Sequence, residues 1–380
     1  MPPVIAFDAD VLGRRRTGDE TVTRELLRAL GGLDLPFQVL AYVRDPNDVP
    51  PEATASGAVV PVRVGVGSNY ARGGVALPAR LATDRPALYH GLYLLPPLLP
   101  CPGVVTVADA SYLRTGAYMP RIDRAAFSRF VPWSARRAAR VVTPSEHARR
   151  DLLELVPGLD PSRVVAVPWG VSPDDFHPVP DAAARVARRF GLDRPYVLFL
   201  GALQPRKNLT RLLEAWAIRR ARSPAADEIL VLAGAPRSPG DALDDVVERL
   251  DLAPSVRRLG YVEGTDALRD LLAGARALAF PSLYEGFGLP VVEAMQAGTA
   301  VLTSTTSCMP EVVGDAALMV EPTSTQALAE ALRALDGDDA LRARLEAAGP
   351  PRAALFSPER YAARLRELHA RLGVPLEDAA

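Results

Sequence analysis

The stretch from Glu285 to Glu293 combines residue types that suit a small anionic or sugar ligand. Its sequence is Glu-Gly-Phe-Gly-Leu-Pro-Val-Val-Glu, so two carboxylates bracket a loop with two glycines. Glycines let the backbone approach a ligand closely, and Pro290 fits a first helical turn because its missing N–H costs nothing there. A helix N-terminus offers N–H groups and partial positive charge. The pattern predicts a small-molecule site with both acids at one cleft.

A simpler interpretation applies to the two acids alone. A surface carboxylate near a helix N-terminus favours the helix dipole by roughly 0.3–1 kcal/mol. This effect explains a Glu at either position, but it does not explain the Gly-Phe-Gly sequence between them.

A second pair of residues that could bind a ligand is Arg206-Lys207. It lies between an apolar run and the predicted N-cap Asn208. Two cations at the end of a strand and beside a helix start would suit a diphosphate, because Arg is a planar fork and Lys a point charge. The alternative is a pair of solvated loop cations. Of the 44 basic residues in the chain, Lys207 is the single lysine, which favours a functional role without proving one.

Composition excludes several classes of protein. The chain has 380 residues, 48% hydrophobic residues and a net charge of −1, which indicates a soluble globular protein without a general affinity for nucleic acid. Its two cysteines, Cys101 and Cys308, lie far apart and predict a reduced, intracellular protein. Asp8 and Asp10 interrupt the opening apolar run, so no signal peptide is predicted. The length allows two domains.

Strand-like and helix-like segments alternate along the chain, which predicts parallel sheets covered by helices. A Pro-rich stretch, residues 168–180, interrupts the alternation and predicts a linker between two α/β halves with a cleft between them. The predicted strands are 4–7, 37–42, 59–62, 88–89, 104–107, 141–143, 164–167, 196–200, 229–233, 256–259, 277–280, 300–303 and 317–320. The predicted helices are 22–30, 124–140, 146–156, 209–220, 242–250, 267–273, 290–297, 326–335, 340–348 and 358–372.

The order of these motifs resembles that of the E-x7-E glycosyltransferases of family 4, which have the GT-B fold of two doubly wound, Rossmann-like α/β domains facing an interdomain cleft. The resemblance spans nearly the whole chain. It rests on Arg206-Lys207, on Glu285-Gly-Phe-Gly-Leu-Pro with Glu293, and on segments 142–146, 167–171 and 310–317.

The resemblance implies three parts of the chain. Residues 1–175 would form an N-terminal acceptor-side domain, and residues 176–357 a C-terminal nucleotide-sugar donor domain. Residues 358–380 would form a C-terminal helix that crosses back to the first domain.

The implied activity is a retaining, metal-independent transfer of a hexose, with mannose from GDP-mannose or glucose from UDP-glucose as the usual donors and no cofactor. Arg206 and Lys207 would hold the donor diphosphate, and Glu285 would face the donor sugar. Glu293 would bind the ribose hydroxyls. The remaining donor contacts would come from Gly286, Phe287, Gly288 and Leu289, with Tyr261 and Val262 flanking the base. The acceptor would be a glycan, a lipid-linked molecule or a small molecule.

Two positions depart from the family pattern. The family carries His-Asp where this chain has Ala108-Asp109, and alanine can neither hydrogen-bond a sugar hydroxyl nor hold a proton. Asp109 stays a candidate catalytic residue. His90 is predicted to be a packed structural histidine rather than a replacement for the family histidine that is missing at Ala108. The loop expected at residues 14–20 lies beside the acceptor and the phosphates in the family. Gly18 is kept there as a candidate donor contact, but Glu20 stands where a second glycine is usual.

Residues 121–150 contain eight arginines with Phe127, Phe130 and Trp133 between them. Such a basic, aromatic surface would suit anionic lipid or a lipid-linked acceptor, so a cytoplasmic protein with this surface could contact the inner face of a membrane. The sequence alone favours a solvated Arg-rich face instead.

Two other functions are alternatives to sugar transfer. A donor-binding homologue with weak or no transfer, acting as a partner or regulator, is suggested by Ala108. An NAD-dependent enzyme is disfavoured, because no G-x-G-x-x-G follows the first strand of either half.

Overall fold

The computed structural model describes residues 3–14, 17–65, 68, 71–114, 121–223, 227–235 and 243–372. The chain forms two compact units. The first comprises Met1–Gly170 and Ser357–Ala380, and the second comprises Val171–Phe356. The change of unit near Gly170 therefore falls inside the Pro-rich stretch 168–180.

The first unit contains a seven-stranded parallel sheet. Its spatial order is β3-β2-β1-β4-β5-β6-β7, so the order reverses between β1 and β4. Ile5 lies opposite Val39 on one side and Leu88 on the other, and all three are buried. The strands are β1 (Val4–Asp8), β2 (Gln38–Val43), β3 (Val59–Arg63), β4 (Leu88–Leu92), β5 (Gly103–Thr106), β6 (Arg140–Thr143) and β7 (Val164–Ala166).

Helices in this unit connect successive strands, as a parallel sheet requires. A π-helical turn, Arg72–Ala76, precedes the third of them. The helices are α1 (Thr17–Gly31), α2 (Pro51–Thr54), α3 (Leu77–Asp84), α4 (Ser111–Arg114), α5 (Arg121–Arg137) and α6 (Glu146–Leu155).

The second unit has a six-stranded parallel sheet in the order β10-β9-β8-β11-β12-β13. Every residue of β8 and β9 is buried, which explains why these strands read as continuous apolar runs rather than alternating ones. The strands are β8 (Tyr196–Leu200), β9 (Ile229–Ala233), β10 (Val256–Gly260), β11 (Ala277–Phe280), β12 (Val301–Ser304) and β13 (Leu318–Val320).

The helices of the second unit follow the same alternation. They are α7 (Ala182–Phe190), α8 (Leu209–Arg222), α9 (Leu243–Arg249), α10 (Thr265–Ala273), α11 (Leu289–Gln296), α12 (Met309–Val313), α13 (Thr325–Gly337) and α14 (Asp339–Ala353). Within the described ranges, no helix has both the length and the apolar character needed to cross a bilayer.

The structure confirms all thirteen predicted strands and the ten predicted helices, with shifts at their ends. It adds α2, α3, α4, α7 and α12. Three of them, α2, α4 and α12, have only four or five residues and are too short to leave a periodic signal, and α3 has a proline in its first turn. In contrast, α7 is clearly amphipathic, but it directly follows the stretch predicted as a linker. The predicted loop 14–20 is wrong in its second half, because α1 already begins at Thr17. Gly18 consequently lies in the first turn of a helix.

The last helix, α15 (Pro358–Ala370), packs within the first unit. His369 on α15 and His90 on β4 are buried, and their ring nitrogens lie 3.1 Å apart. The other ring nitrogen of His90 lies 2.8 Å from the Thr106 hydroxyl. The sequence favoured a packed role for His90, and this role is confirmed.

The buried histidine pair predicts an acid-sensitive fold. Burial lowers the pKa of His369 to about 4, and burial together with His369 lowers the pKa of His90 well below its usual value. Between about pH 6.5 and 4 the unfolded chain therefore binds more protons than the folded one. We expect the free energy of unfolding to fall through this window by up to about 1.4 kcal/mol per pH unit for each histidine, measured by chemical denaturation.

The variant His369→Gln should reduce this slope, because it removes one of the two titrating groups. The exposed His177 provides the matched control, so His177→Gln should leave the slope unchanged. Equal slopes in all three proteins would contradict the assignment.

Candidate active site

The candidate site lies at the carboxyl edge of the second sheet, where the strand order reverses between β8 and β11. Ligands of open α/β sheets bind in the crevice at such a point, because the loops of neighbouring strands leave in opposite directions. Residues 201–208 follow β8, and residues 281–288 follow β11.

Glu285 joins these two loops. Its Oε2 lies 2.8 Å from Arg206 Nη1, and its Oε1 lies 2.5 Å from Lys207 Nζ. Arg206 Nη1 also donates to the Tyr284 carbonyl at 2.8 Å, and the Leu283 N–H donates to the Arg206 carbonyl at 2.8 Å. Three charged residues predicted separately from the sequence thus form one cluster.

This cluster is largely removed from water. Lys207 is 6% exposed and Glu285 is 5% exposed. Burial by itself would raise the pKa of Glu285, but the Arg206 guanidinium and the Lys207 ammonium outweigh it and lower the pKa to about 2. Lys207 Nζ also lies 4.4 Å from the centre of the Phe280 ring. The carboxylate is therefore ionised at neutral pH and holds both cations in place.

The charges of the cluster leave an excess of one positive charge, from two cations and one carboxylate. A fixed excess positive charge in a site of low dielectric attracts a phosphate and stabilises one that gains charge as a bond breaks. Both carboxylate oxygens of Glu285 face the cations, so contact between Glu285 and a donor sugar stays a prediction.

The N-terminus of α11 supplies the other half of the site. Gly288 precedes the helix with φ +88°, a conformation that disfavours any residue with a side chain. A Cβ at this position would lie 2.4 Å from Met309 Cε, so the end of the Met309 side chain would also have to move. The N–H groups of Gly288 and Leu289 have no acceptor among the described residues. They can donate to phosphate or sugar oxygens, as the sequence predicted for this loop.

Glu293 lies within α11 and is 7% exposed. Gly286 and Phe287 complete the loop that leads into this helix, and Phe287 packs edge-on against Phe356 with ring centres 5.4 Å apart. Binding of ribose hydroxyls by Glu293 stays a prediction.

Ser307 is a site residue that the sequence did not reveal. Its hydroxyl oxygen accepts the Glu285 N–H at 3.2 Å, and its own backbone has φ +56°. A non-glycine residue in this left-handed region is strained by about 1–3 kcal/mol and persists where the surrounding structure requires it. No local pattern could have identified Ser307, because it lies 22 residues after Glu285.

Asn208 begins α8 as predicted, but the expected side-chain cap is wrong. Its backbone has φ +64°, and its side chain makes no capping hydrogen bond. The amide nitrogen instead donates to the carbonyls of Pro281 and Pro322 at 3.1 and 2.7 Å. Asn208 therefore holds the Lys207 turn against the β11 loop.

Tyr261 and Val262 follow β10, two strands from β8 at the same edge of the sheet. Tyr261 is 44% exposed, whereas Val262 is buried. The exposed ring is available for stacking on a base, and this role stays a prediction.

The remaining predicted residues belong to the first unit. Asp109 follows β5, and its Oδ1 accepts from the N–H and the hydroxyl of Ser111 at 3.1 and 2.8 Å. Ala108 is buried beside it, and Gly18 lies on α1. His90 is held by His369 and Thr106, so it does not replace the missing histidine as a group available to substrate.

Removing the lysine should weaken the binding of a nucleotide-diphosphate sugar. We expect Lys207→Met to weaken donor binding by roughly ten- to a hundredfold, because a hydrogen bond to a charged group contributes about 1.5–3 kcal/mol. Thermal shift and calorimetry with candidate donors measure this loss. In Lys207→Met the buried Glu285 keeps Arg206 but loses the partner of its Oε1. The double variant K207M/E285Q removes this carboxylate charge as well and should regain stability but not binding.

The matched control for this loss of charge is Arg222→Met, at an exposed position at the end of α8. It should leave donor binding unchanged. Undiminished donor binding by Lys207→Met would place the diphosphate elsewhere.

Ser307 should act on donor binding through the Glu285 loop. We expect Ser307→Gly to bind donor about fivefold more weakly, because it loses a hydrogen bond of about 1 kcal/mol, while keeping its stability within about 1 kcal/mol since glycine accepts this φ. Ser307→Ala loses the same bond and keeps the strain, so its free energy of unfolding should lie about 1 kcal/mol below that of Ser307→Gly. Parent-like donor affinity in both variants would show that Ser307 does not position this loop.

Comparison with known proteins agrees with this geometry. The profile of Glycosyltransferase Family 4 matches residues 16–175, and that of Glycosyl transferases group 1 matches residues 182–352. The chain is 34% identical to O-antigen chain mannosyltransferase B of Escherichia coli over 279 residues, 72% of this chain and 71% of the relative.

Solved structures share the fold over almost the whole chain. Sucrose-phosphate synthase from Thermosynechococcus elongatus superposes with a TM-score of 0.80 at 22% identity, covering 97% of this chain and 99% of that chain. HepE from Anabaena, solved in complex with UDP-glucose, superposes with a TM-score of 0.76 at 18% identity, covering 97% of this chain and 100% of that chain. The chain therefore belongs to glycosyltransferase family 4, has the GT-B fold and is an enzyme of the hexosyltransferase type.

Proposed function

We propose that the protein transfers a hexose, with retention of the anomeric configuration and without a metal ion, from a nucleotide-diphosphate sugar to a glycan, lipid-linked or small-molecule acceptor. The observation that carries this proposal is the Arg206–Glu285–Lys207 cluster at the reversal point of the second sheet. It combines fixed cations with the helix N-terminus at Gly288.

The cluster supplies what the departure of a nucleoside diphosphate needs. Breaking the bond to the sugar leaves additional negative charge on the phosphate, and preorganised donors stabilise it more than they stabilise the intact donor. Arg206 and Lys207 are held in place by Glu285 before the substrate arrives, so little reorganisation is needed. This arrangement supports a transfer in which the protein rather than a metal ion stabilises the leaving group.

The donor sugar is proposed as mannose or glucose. The Escherichia coli relative is a mannosyltransferase, which favours GDP-mannose as the first donor to test. The structural neighbour bound to UDP-glucose favours UDP-glucose as the second. We place the reaction in the cytoplasm, at the inner face of a membrane.

The second candidate function is donor binding without efficient transfer, as a partner or regulator. Ala108 favours it, because a buried methyl group offers neither a hydrogen bond nor a proton-transfer site. Asp109 next to it is hydrogen-bonded to Ser111 and keeps its place at the end of β5.

A donor screen distinguishes the two functions. Purified protein is mixed with GDP-mannose or UDP-glucose, and binding is followed by thermal shift while nucleotide release and product are followed by chromatography. We expect release and transfer that persist in excess EDTA, with an α-linked product by NMR because both donors are α-linked. Binding without release or transfer in the presence of any acceptor would favour the regulator, and loss of activity in EDTA would contradict the metal-free reaction.

Ala108→His then tests the departure from the family. If the missing imidazole limits the reaction, turnover should rise by roughly a hundredfold, the lower range for a positioned acid–base group, with little change in donor affinity. Unchanged turnover would mean that the chain transfers sugar by a route that does not use this position.

A further inference from the structure

A groove lies at the amino edge of the sheet of the first unit. It has a volume of about 420 Å³ and is bounded by apolar groups of Leu95, Leu99 and Cys101 and by two guanidinium groups, Arg137 and Arg163. Its position is defined by the strands, because Gly103 begins β5 and Arg163 immediately precedes β7.

The charge at this groove is positive. Arg137 donates to the Pro97 carbonyl at 3.2 Å, and no carboxylate pairs with it among the described residues. Arg163 donates to two carbonyls and lies 3.6 Å from Asp160. The groove therefore has two guanidinium groups and one nearby carboxylate, so an anion would find an excess of positive charge.

Exposed apolar side chains are concentrated beside the groove. The Arg137 guanidinium lies 4.3 Å from the centre of the Trp133 ring, and its hydrogen bond to Pro97 brings it next to Leu98. Leu98 is 71% exposed, Phe130 47% and Trp133 37%. Several exposed apolar side chains in one region are more informative than a single one.

Three arginines lie on the same face of α5 as Trp133. Arg129, Phe130, Trp133, Arg136 and Arg137 are exposed and follow the spacing of a single helical stripe. The opposite side, with Val131 and Ala135 on the helix and Ala138 directly after it, is buried in the core. An apolar and aromatic stripe bordered by arginines is typical of a helix that lies in a bilayer interface.

We propose that this groove and the exposed stripe of α5 bind an anionic phospholipid at a membrane surface. The lipid phosphate lies between Arg137 and Arg163, and its acyl chains continue past Leu95 and Leu99. Leu98, Phe130 and Trp133 enter the interface, where Trp is favoured because it has an apolar body and a polar edge.

A lipid bound here is an anchor and not the reacting acceptor. The groove lies at the amino edge of β5, whereas Asp109 follows the carboxyl end of this strand. Four residues of β5 separate the two edges by roughly 13 Å at about 3.3 Å per residue. The inference goes beyond the proposed transfer reaction, and it can fail while that reaction stands.

Vesicle flotation tests the proposal with the full chain. We expect the protein to float with vesicles of phosphatidylcholine containing phosphatidylglycerol at roughly one lipid in three and not with pure phosphatidylcholine. The double variant R137Q/R163Q should lower the partition coefficient by roughly tenfold or more, since a basic residue near an anionic surface contributes about fivefold. The matched control R333Q/R344Q removes two exposed arginines of the second unit and should have a smaller effect.

Tryptophan fluorescence gives an independent measurement. Trp169 and Trp216 are buried, so brominated lipid should quench mainly Trp133, and Trp133→Phe should abolish the quenching. Donor-induced thermal shift should stay unchanged in R137Q/R163Q, which separates this surface from the donor site. Equal losses in the two double variants, binding to pure phosphatidylcholine, or absence of quenching would overturn the proposal.

Discussion

The ion cluster around Glu285 determines the organisation of the second unit at its ligand-binding edge. A buried carboxylate is costly unless cations and hydrogen bonds compensate it, so the loops that carry Arg206, Lys207 and Glu285 must pack together. The backbone bond from Leu283 to Arg206 and the Asn208 amide reinforce the same contact. Two segments almost eighty residues apart therefore behave as one rigid edge, and the cations are in place before a ligand binds.

The main chain around this cluster is constrained as tightly as the side chains. Gly288 and Ser307 both have positive φ, and each is in contact with the loop or helix that carries the predicted donor contacts. Only glycine avoids a cost in this conformation, so Ser307 is retained with strain while its hydroxyl holds the Glu285 N–H. A site of this kind depends on backbone N–H groups whose direction is set by the fold, which suits recognition of phosphate and sugar oxygens.

The first unit shows a different use of polar groups. His90 and His369 are enclosed in the core and kept neutral, so the unit has histidines but none that serves at the position of Ala108. Its two sheet edges also differ in character. Asp109 lies at the carboxyl edge, while the amino edge combines Arg137 with exposed Leu98 and Trp133. Because these two edges lie at opposite ends of the strands, the first unit can contact substrate at the carboxyl edge and the proposed lipid at the amino edge.

The sequence by itself determined the alternating α/β order and all thirteen strands, and it pointed to Arg206, Lys207 and Glu285, because buried parallel strands and Gly-rich loops leave strong local patterns. It could not show that Glu285 pairs with both cations, that Asn208 joins loops instead of capping α8, or that Ser307 supports the site. These facts depend on contacts between residues far apart in the chain. Only the strand order, with β8 beside β11, brings them within hydrogen-bonding distance, and that order is decided by the packing of the whole sheet.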